Sequence, residues 1–318
     1  MGACISAREA DLTISPEEHS SDPTTEESGP FVGGDIPHSA YQQISQILQE
    51  GQNFSLAGYK DLCIKRRIAA RIRAVGMCDP ESYIELLVQN STEQEKLLAA
   101  LSIHVSHFFR NPSTFRVLEK QVLPELAERA RQQKSKLRIW SVGCANGEEP
   151  YSLALLCRRV LHENDLWTII GTDLSSDAVQ RAKGGCYDQN RLQEIAESEL
   201  QDFFVRSDKR YCLIDEVKQR VRFFRHDILS DQPFYRADLI LCRNVLIYFS
   251  REQQQRVLQI LAAALPAGGF LVLGRAETLV ASCREMFRCI DPAERIYQRL
   301  DNDKQLLPTS FVQQLQDF

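Results

Sequence analysis

The 318-residue sequence holds ten cysteines but no C-x-x-C pair, so the spacing that marks a zinc site or a dithiol redox centre is missing. Long apolar runs are missing too. The most hydrophobic stretch, VLQILAAALPAGGFLVLG, is broken by Pro266, Gly268 and Gly269 into helix, turn and strand lengths, each too short to span a bilayer. No basic-then-apolar leader opens the chain. There is no excess of basic charge: 38 Lys and Arg against 43 Asp and Glu leave −5, which argues against a nucleic-acid surface spread over the whole molecule but allows a local basic face. Nor is the chain poor in core-forming residues. At 43% hydrophobic and 25% charged it reads as globular. Cysteines within apolar runs, such as Cys242 in ADLILCRN, read as reduced thiols packing as small hydrophobes, in keeping with a reducing cytoplasm.

The length allows about two domains, and the composition divides the chain. Residues 1–35, with SPEEHSSDPTTEESGPFVGGD, read as a disordered tail; its opening MGACIS matches the loose myristoylation pattern, which is short enough to occur by chance. Residues 36–105 read as an all-helical domain, in which YKDLCIKRRIAARIRAVG turns Leu62, Ile64, Ile68 and Ile72 inward. A linker helix over 106–136 is expected to kink at Pro124. From 137 to 302, LRIWSV, WTIIGT, VRFF, ADLILC and GFLVLG read as strands alternating with helices, which predicts an α/β fold with a parallel sheet covered on both faces. A small antiparallel β insertion is expected at about 197–220, where no helix is long enough for a crossover, and MFRCIDPAERIYQRL reads as a closing hairpin. Residues 303–318 form a polar tail.

SVGCANGEEPYSLALL follows the first strand and carries Gly143 and Gly147 four apart. A dinucleotide loop would show G-x-G-x-x-G, and a phosphate-binding loop would not carry Glu148 and Glu149 at the helix start. One reading is that the acids only favour the positive helix end. The other is a ligand with positive charge. Asp173 ends the second strand, where an acid accepts from ribose hydroxyls in doubly wound folds. Together these features describe a nucleoside that carries a cation instead of phosphates, which is S-adenosylmethionine. CRNVLIYF, after a later strand, brings Arg243, Asn244 and Tyr248 to the same crevice. The Asn/Asp-Pro-Pro-aromatic run usual in enzymes that methylate base amino groups is not there. In HVSHFFRN, His104 and His107 lack a partner at ligand spacing, whereas Arg110 is shaped for bidentate capture of a carboxylate.

FFRN, GCANGEEPYSLA, GTDLSSDAVQRAKGGCY and LILCRNVLIYF, in this order and spacing, resemble the chemotaxis-receptor glutamate O-methyltransferases of the CheR type, over about Tyr41 to Leu300. The resemblance implies a Rossmann-like methyltransferase sheet with a small antiparallel β insertion, preceded by an all-helical domain. It implies S-adenosylmethionine as methyl donor, S-adenosylhomocysteine as product, and methyl-accepting receptor helices as partners in the cytoplasm at receptor arrays. Cofactor contacts carried over by motif fall on Arg110, Gly143, Glu149, Asp173, Arg243 and Asn244. His104 and Ser106 stand where the family has N-x-T, and Asp227 and Ile228 where it has Asn-Leu; Asp227 can accept from an adenine amino group but cannot donate. Tyr248 matches the tyrosine beside the transferring methyl.

A glutamate side chain is already an anionic nucleophile at neutral pH, so no general base is needed, and no histidine lies in the GEEP, Asp173 or CRNVLIYF elements. Arg110 and Tyr248 are the expected catalytic donors, orienting the acceptor. Two rival readings are a non-catalytic S-adenosylmethionine-binding signalling module and a nucleic-acid methyltransferase that uses the basic helix as a phosphate track. For that helix, Lys65, Arg66, Arg67, Arg71 and Arg73 are instead expected to dock acidic receptor segments, without nucleic acid and with the enzyme a monomer. Family members that tether to a receptor-tail peptide add it as a strand beside a glycine-containing loop. VRSDKRYCLIDEVKQRVRF has no glycine, so independence from such a tether is expected.

Overall fold

The computed structural model describes residues 36–52, 54–56, 59–101, 106–232 and 236–301. The expected tails at 1–35 and 303–318, the myristoylation pattern and His104 lie outside these residues.

Four helices come first: α1 (His38–Gln52), α2 (Asp61–Ala74), α3 (Pro80–Gln89) and α4 (Ser91–Leu101). Asp79 starts α3 by accepting from the Ser82 N–H at 2.7 Å, with Pro80 at the first helical position, where a missing N–H costs nothing. Ile44, Leu48, Ile64, Ile68, Ile72, Tyr83, Leu87 and Leu97 fill the core between the helices. Leu62 does not join them: it is 55% exposed. Four residues per step from Ile64 to Ile72 hold one stripe, and Leu62 falls off that stripe.

The connection runs through α5 (Pro112–Val117), a π-helical stretch at Leu118–Val122 and α6 (Leu123–Gln132). The expected irregularity at Pro124 takes this form. Proline donates no N–H and its ring crowds the carbonyl four residues earlier, so the preceding turn widens.

The sheet domain follows with β1 (Leu137–Val142), α7 (Glu148–Val160), β2 (Trp167–Asp173), α8 (Ser176–Gly184), β3 (Cys186–Asp188), α9 (Glu197–Phe203), β4 (Phe204–Ser207), β5 (Arg210–Leu213), α10 (Asp215–Lys218), β6 (Val221–Arg225), β7 (Leu239–Cys242), α11 (Arg251–Ala264), β8 (Phe270–Leu273), β9 (Phe287–Asp291) and β10 (Ile296–Arg299). The seven-stranded sheet has the order β6-β2-β1-β7-β8-β10-β9. Its first five strands are parallel, and the closing hairpin pairs antiparallel through β10. Buried runs such as LILC and FLVL are apolar throughout, as strands covered on both faces require. The chain moves outward from β1 to β2 and β6, then crosses to β7 on the other side of β1. That reversal opens a crevice beyond the strand ends.

The small second sheet has the order β3-β5-β4. Its third strand comes from Cys186–Asp188, ahead of the expected stretch, because the segment after α8 turns back to pair with β5. The expectation of reduced thiols fails at one pair here: Cys186 and Cys212 face each other in register and form a disulfide. Cross-strand neighbours in an antiparallel pair are brought together by topology, and no sequence spacing announces it.

Candidate active site

β1 ends at Val142 and the chain turns at Gly143, with φ 67°. A Cβ at that glycine would lie 2.5 Å from Val245 Cγ2, so both conformation and space demand glycine. Gly147, at φ 91°, precedes α7. Asp173 then ties the loop to the end of β2: its Oδ2 accepts from the Ala145 N–H and its Oδ1 from the Ser175 N–H, each at 2.9 Å. The sequence places the acid, and the sheet register delivers it to the loop.

Above these strand ends lies a cavity of about 780 Å³ including its open mouth. Gly143, Asp173, Asp227, Ile228, Asn244 and Tyr248 all line it, so six of the expected positions come together. The opposite wall was not foreseen. It is built from the helical domain, by Phe54, Tyr59, Ile64 and Leu101. The Tyr59 ring packs 5.0 Å from Phe249 and 5.6 Å from Phe54. The Lys60 N–H donates to the Tyr248 carbonyl at 2.9 Å, which clamps the start of α2 to the loop after β7. Arg67 donates to the Leu101 carbonyl and lays its guanidinium 4.5 Å from the Tyr248 ring centroid.

The interior is electronegative. Burial first, then Asp173, Glu149 and Glu148, push the Cys144 thiol well above its ordinary range. Burial, then Asp227 and Asp173, do the same to the Tyr59 phenol, against a smaller opposing effect from Arg67. Such a field favours a ligand that carries positive charge.

Glu149 and Arg243 sit outside the cavity lining. Ser141 Oγ donates to Glu149 Oε1 at 2.8 Å, and Arg243 Nη1 donates to Glu149 Oε2 at 3.0 Å. Arg243 Nη2 also donates to the Arg110 carbonyl at 2.7 Å and to Asn111 Oδ1 at 2.8 Å. The Glu149 charge is therefore compensated by Arg243 within the protein. Arg110 is half-buried, and its backbone carbonyl joins this network. Ser106 is half-buried and its carbonyl accepts from Arg191; neither Ser106 nor Arg110 lines the cavity.

The basic helix is not uniformly free for docking. Arg71 makes a bidentate pair with Glu93, at 2.7 and 2.6 Å, and the Tyr83 hydroxyl donates to the same carboxylate at 3.0 Å. Arg67 caps Leu101, and Lys65 lies over the Tyr41 ring at 5.5 Å. Arg66 and Arg73 are exposed, beside the exposed Leu62.

Sequence reasoning missed Phe54, Tyr59 and Glu277. Glu277 follows β8 in GRAETL and has no motif spacing to the loop it binds; only the parallel neighbours β7 and β8 bring the two together. Among the described residues, no helix is long and apolar enough to cross a membrane.

A sheet reversed at β1, a glycine turn closed by an acid, and an acidic cavity at the strand ends suit a cationic nucleoside, and the family match makes the class an S-adenosylmethionine-dependent methyltransferase. Residues 104–296 match the model of the CheR methyltransferase SAM-binding domain, and residues 39–102 match that of the CheR all-alpha domain. The chain belongs to the CheR methyltransferase family. It is 35% identical over 240 residues to a chemotaxis protein methyltransferase of Listeria monocytogenes, covering 76% of this chain and 90% of that one. A chemotaxis protein methyltransferase of Salmonella typhimurium is 30% identical over 257 residues, covering 77% and 85%. An uncharacterized 104.1 kDa protein of Rhodobacter capsulatus is 35% identical over 267 residues, 83% of this chain but 28% of that protein.

Proposed function

We propose that this methyltransferase esterifies glutamate side chains of chemotaxis receptors. The observation that carries the reading is the acidic cavity with a phenol in its wall. The interior, with Asp173 and Asp227, suits a cationic donor, while Tyr248, whose ring packs against the Arg67 guanidinium, brings a hydroxyl donor to the same cavity. A carboxylate acceptor can take a hydrogen bond from that phenol without giving up a proton. When bound, S-adenosylmethionine supplies an electrophilic methyl group on a sulfonium sulfur. Asp173 would accept from the ribose hydroxyls with lone pairs not used by Ala145 and Ser175. Asp227 and Asn244 would meet polar groups of the nucleoside, and Tyr59 and Phe249 its apolar faces. Tyr248 would hold the acceptor oxygen, with Arg110 as the second orienting donor. No residue needs to remove a proton, because a glutamate is ionised well below neutral pH.

Docking of the receptor helices falls on the exposed part of α2, at Arg66 and Arg73 with Lys65 beside them, where charge steers acidic partners. Independence from a receptor-tail tether is supported by the β4–β5 connection. It is a two-residue turn at Asp208 and Lys209, with Asp208 at φ 53° and no glycine. The enzyme acts as a monomer in the cytoplasm at receptor arrays. The Cys186–Cys212 disulfide is the one feature at odds with that compartment, where thiol pairs are kept reduced.

The test is methyl transfer from labelled S-adenosylmethionine to a receptor cytoplasmic fragment. Label released as methanol in mild base is the expected result and marks an ester. Base-stable label would point to a nitrogen acceptor and overturn the reading. Cofactor binding with no transfer to any receptor fragment would favour the non-catalytic signalling module.

A further inference from the structure

Asn244, Val245 and Tyr248 line the cavity, yet they lie on a loop that neither sheet nor long helix stabilises. It leaves β7 through Asn244 at φ 60° and makes a single 3-10 turn at Leu246–Tyr248. Backbone N–H groups in such a loop need partners from elsewhere. One side chain supplies them. Glu277 is 4% exposed. Its Oε1 accepts from the Val245 N–H at 2.8 Å and the Ile247 N–H at 3.3 Å. Its Oε2 accepts from the Asn244 N–H at 2.9 Å and from the Gly274 N–H, just past β8, at 2.6 Å. Gly274 leaves no slack, since a Cβ there would lie 2.6 Å from Glu277 Oε2 and 2.9 Å from the Asn244 nitrogen.

We infer that Glu277 is a positioning residue for methyl transfer: its carboxylate gathers the backbone of residues 244–247 and so presents Asn244 and Tyr248 to the cofactor. Glu277 is absent from the cavity lining and acts through the loop alone. The inference rests on the reading that Asn244 faces the cofactor. Bonds from N–H groups to a carboxylate are charge-assisted and stronger than those to a neutral acceptor. Burial pushes the Glu277 carboxyl above its ordinary value, and the backbone donors at Asn244, Gly274, Leu246 and Ile247 offset that only in part. Those donors favour the carboxylate over its protonated form. An amide of the same shape would turn an NH₂ group toward two of the four donors, leaving them unpaired.

The experiment measures S-adenosylhomocysteine binding by calorimetry and amide hydrogen exchange at residues 244–247, in Glu277→Gln, Glu277→Asp and Asn244→Ala. For Glu277→Gln the expected result is binding weakened about tenfold or more, with exchange accelerated at Asn244, Val245 and Ile247 and unchanged in β1 and β2. Glu277→Asp keeps the charge and should recover part of both. If folded Glu277→Gln binds with unchanged affinity while Asn244→Ala binds weakly, the positioning role is overturned and the cofactor reading stands. If Asn244→Ala binds normally, the cofactor reading of the loop fails instead. Should Glu277→Gln not fold, Gly274→Ala, which displaces the carboxylate without removing its charge, is judged by the same two readouts.

Discussion

Asp173 is bonded to the Ala145 and Ser175 N–H groups before any ligand arrives, so it does two things at once. It shapes the glycine loop and, on the proposed reading, would also accept from the ribose. Asp173→Ala should therefore weaken S-adenosylmethionine binding by at least one charge-assisted hydrogen bond's worth, ~1.5–3 kcal/mol, on the order of tenfold to a hundredfold. Calorimetry on the folded variant checks this, and unchanged affinity removes Asp173 from the site. Tyr59→Ala is expected to weaken binding as well, although Tyr59 belongs to the helical domain; a normal affinity would mean that the aromatic wall does not touch the nucleoside. For catalysis, Arg110→Ala should lower kcat by about 10²-fold, the size of a lost transition-state donor, and Tyr248→Phe by less. The alanine variant keeps the Arg110 carbonyl that accepts from Arg243. A normal kcat at saturating cofactor would end Arg110's assigned role.

Among the elements, α2 carries the most weight: one face is core, one end closes the cavity and the rest is exposed. Burial raises the Glu93 carboxyl, but bonds from Arg71 and Tyr83 outweigh it and leave it below the ordinary 4.5. A carboxyl whose folded value lies below its unfolded value adds stability at higher pH, and that stability is lost as pH falls through the folded value. Thermal melts from about pH 7 down to about pH 3 should therefore show stability lost below the ordinary glutamate range, and Arg71→Ala should remove that part of the dependence. The same variant should destabilise the fold by about 3 kcal/mol, because it strands a buried carboxylate. Charge reversal at Arg71 or Arg67 would thus disturb the core or Tyr248 rather than report on docking. Arg66→Glu is the informative variant: Arg66 is exposed, so receptor KM should rise, with melting temperature and S-adenosylmethionine affinity unchanged. An unchanged KM would move the docking surface elsewhere.

For the whole molecule, the absence of a required general base predicts a kcat that is flat from about pH 6 to about pH 9, since the acceptor is ionised throughout. His107 does not alter this. Burial and then Arg110 lower its pKa from 6.5, so it is neutral over most of that window. A bell-shaped profile would show that a base had been overlooked. On the proposed docking through the charged face of α2, receptor methylation should also fall as salt rises and should not depend on the receptor's C-terminal tail.

The sequence by itself determined what depends on neighbours along the chain. Strand runs such as LILC, the glycine turn around CANG, the helix start at Glu148 and Glu149, and the acid at the end of TIIGTD were all legible, because period and turn chemistry act over a few residues. Six positions of the cavity lining, Gly143, Asp173, Asp227, Ile228, Asn244 and Tyr248, were legible for the same reason, as each lies in a short segment at a strand end. What only the tertiary structure decided is which distant segments meet. Nothing in the spacing of GRAETL told that Glu277 would bind the loop after Cys242, or that Arg71 and Arg67 were spent inside the fold. Cys186 and Cys212 were likewise indistinguishable from the other thiols, and Phe54 and Tyr59 from other helical-domain aromatics. Those outcomes depend on sheet order and on how the helical domain packs across the strand ends, which bring together side chains that the chain itself keeps many residues apart.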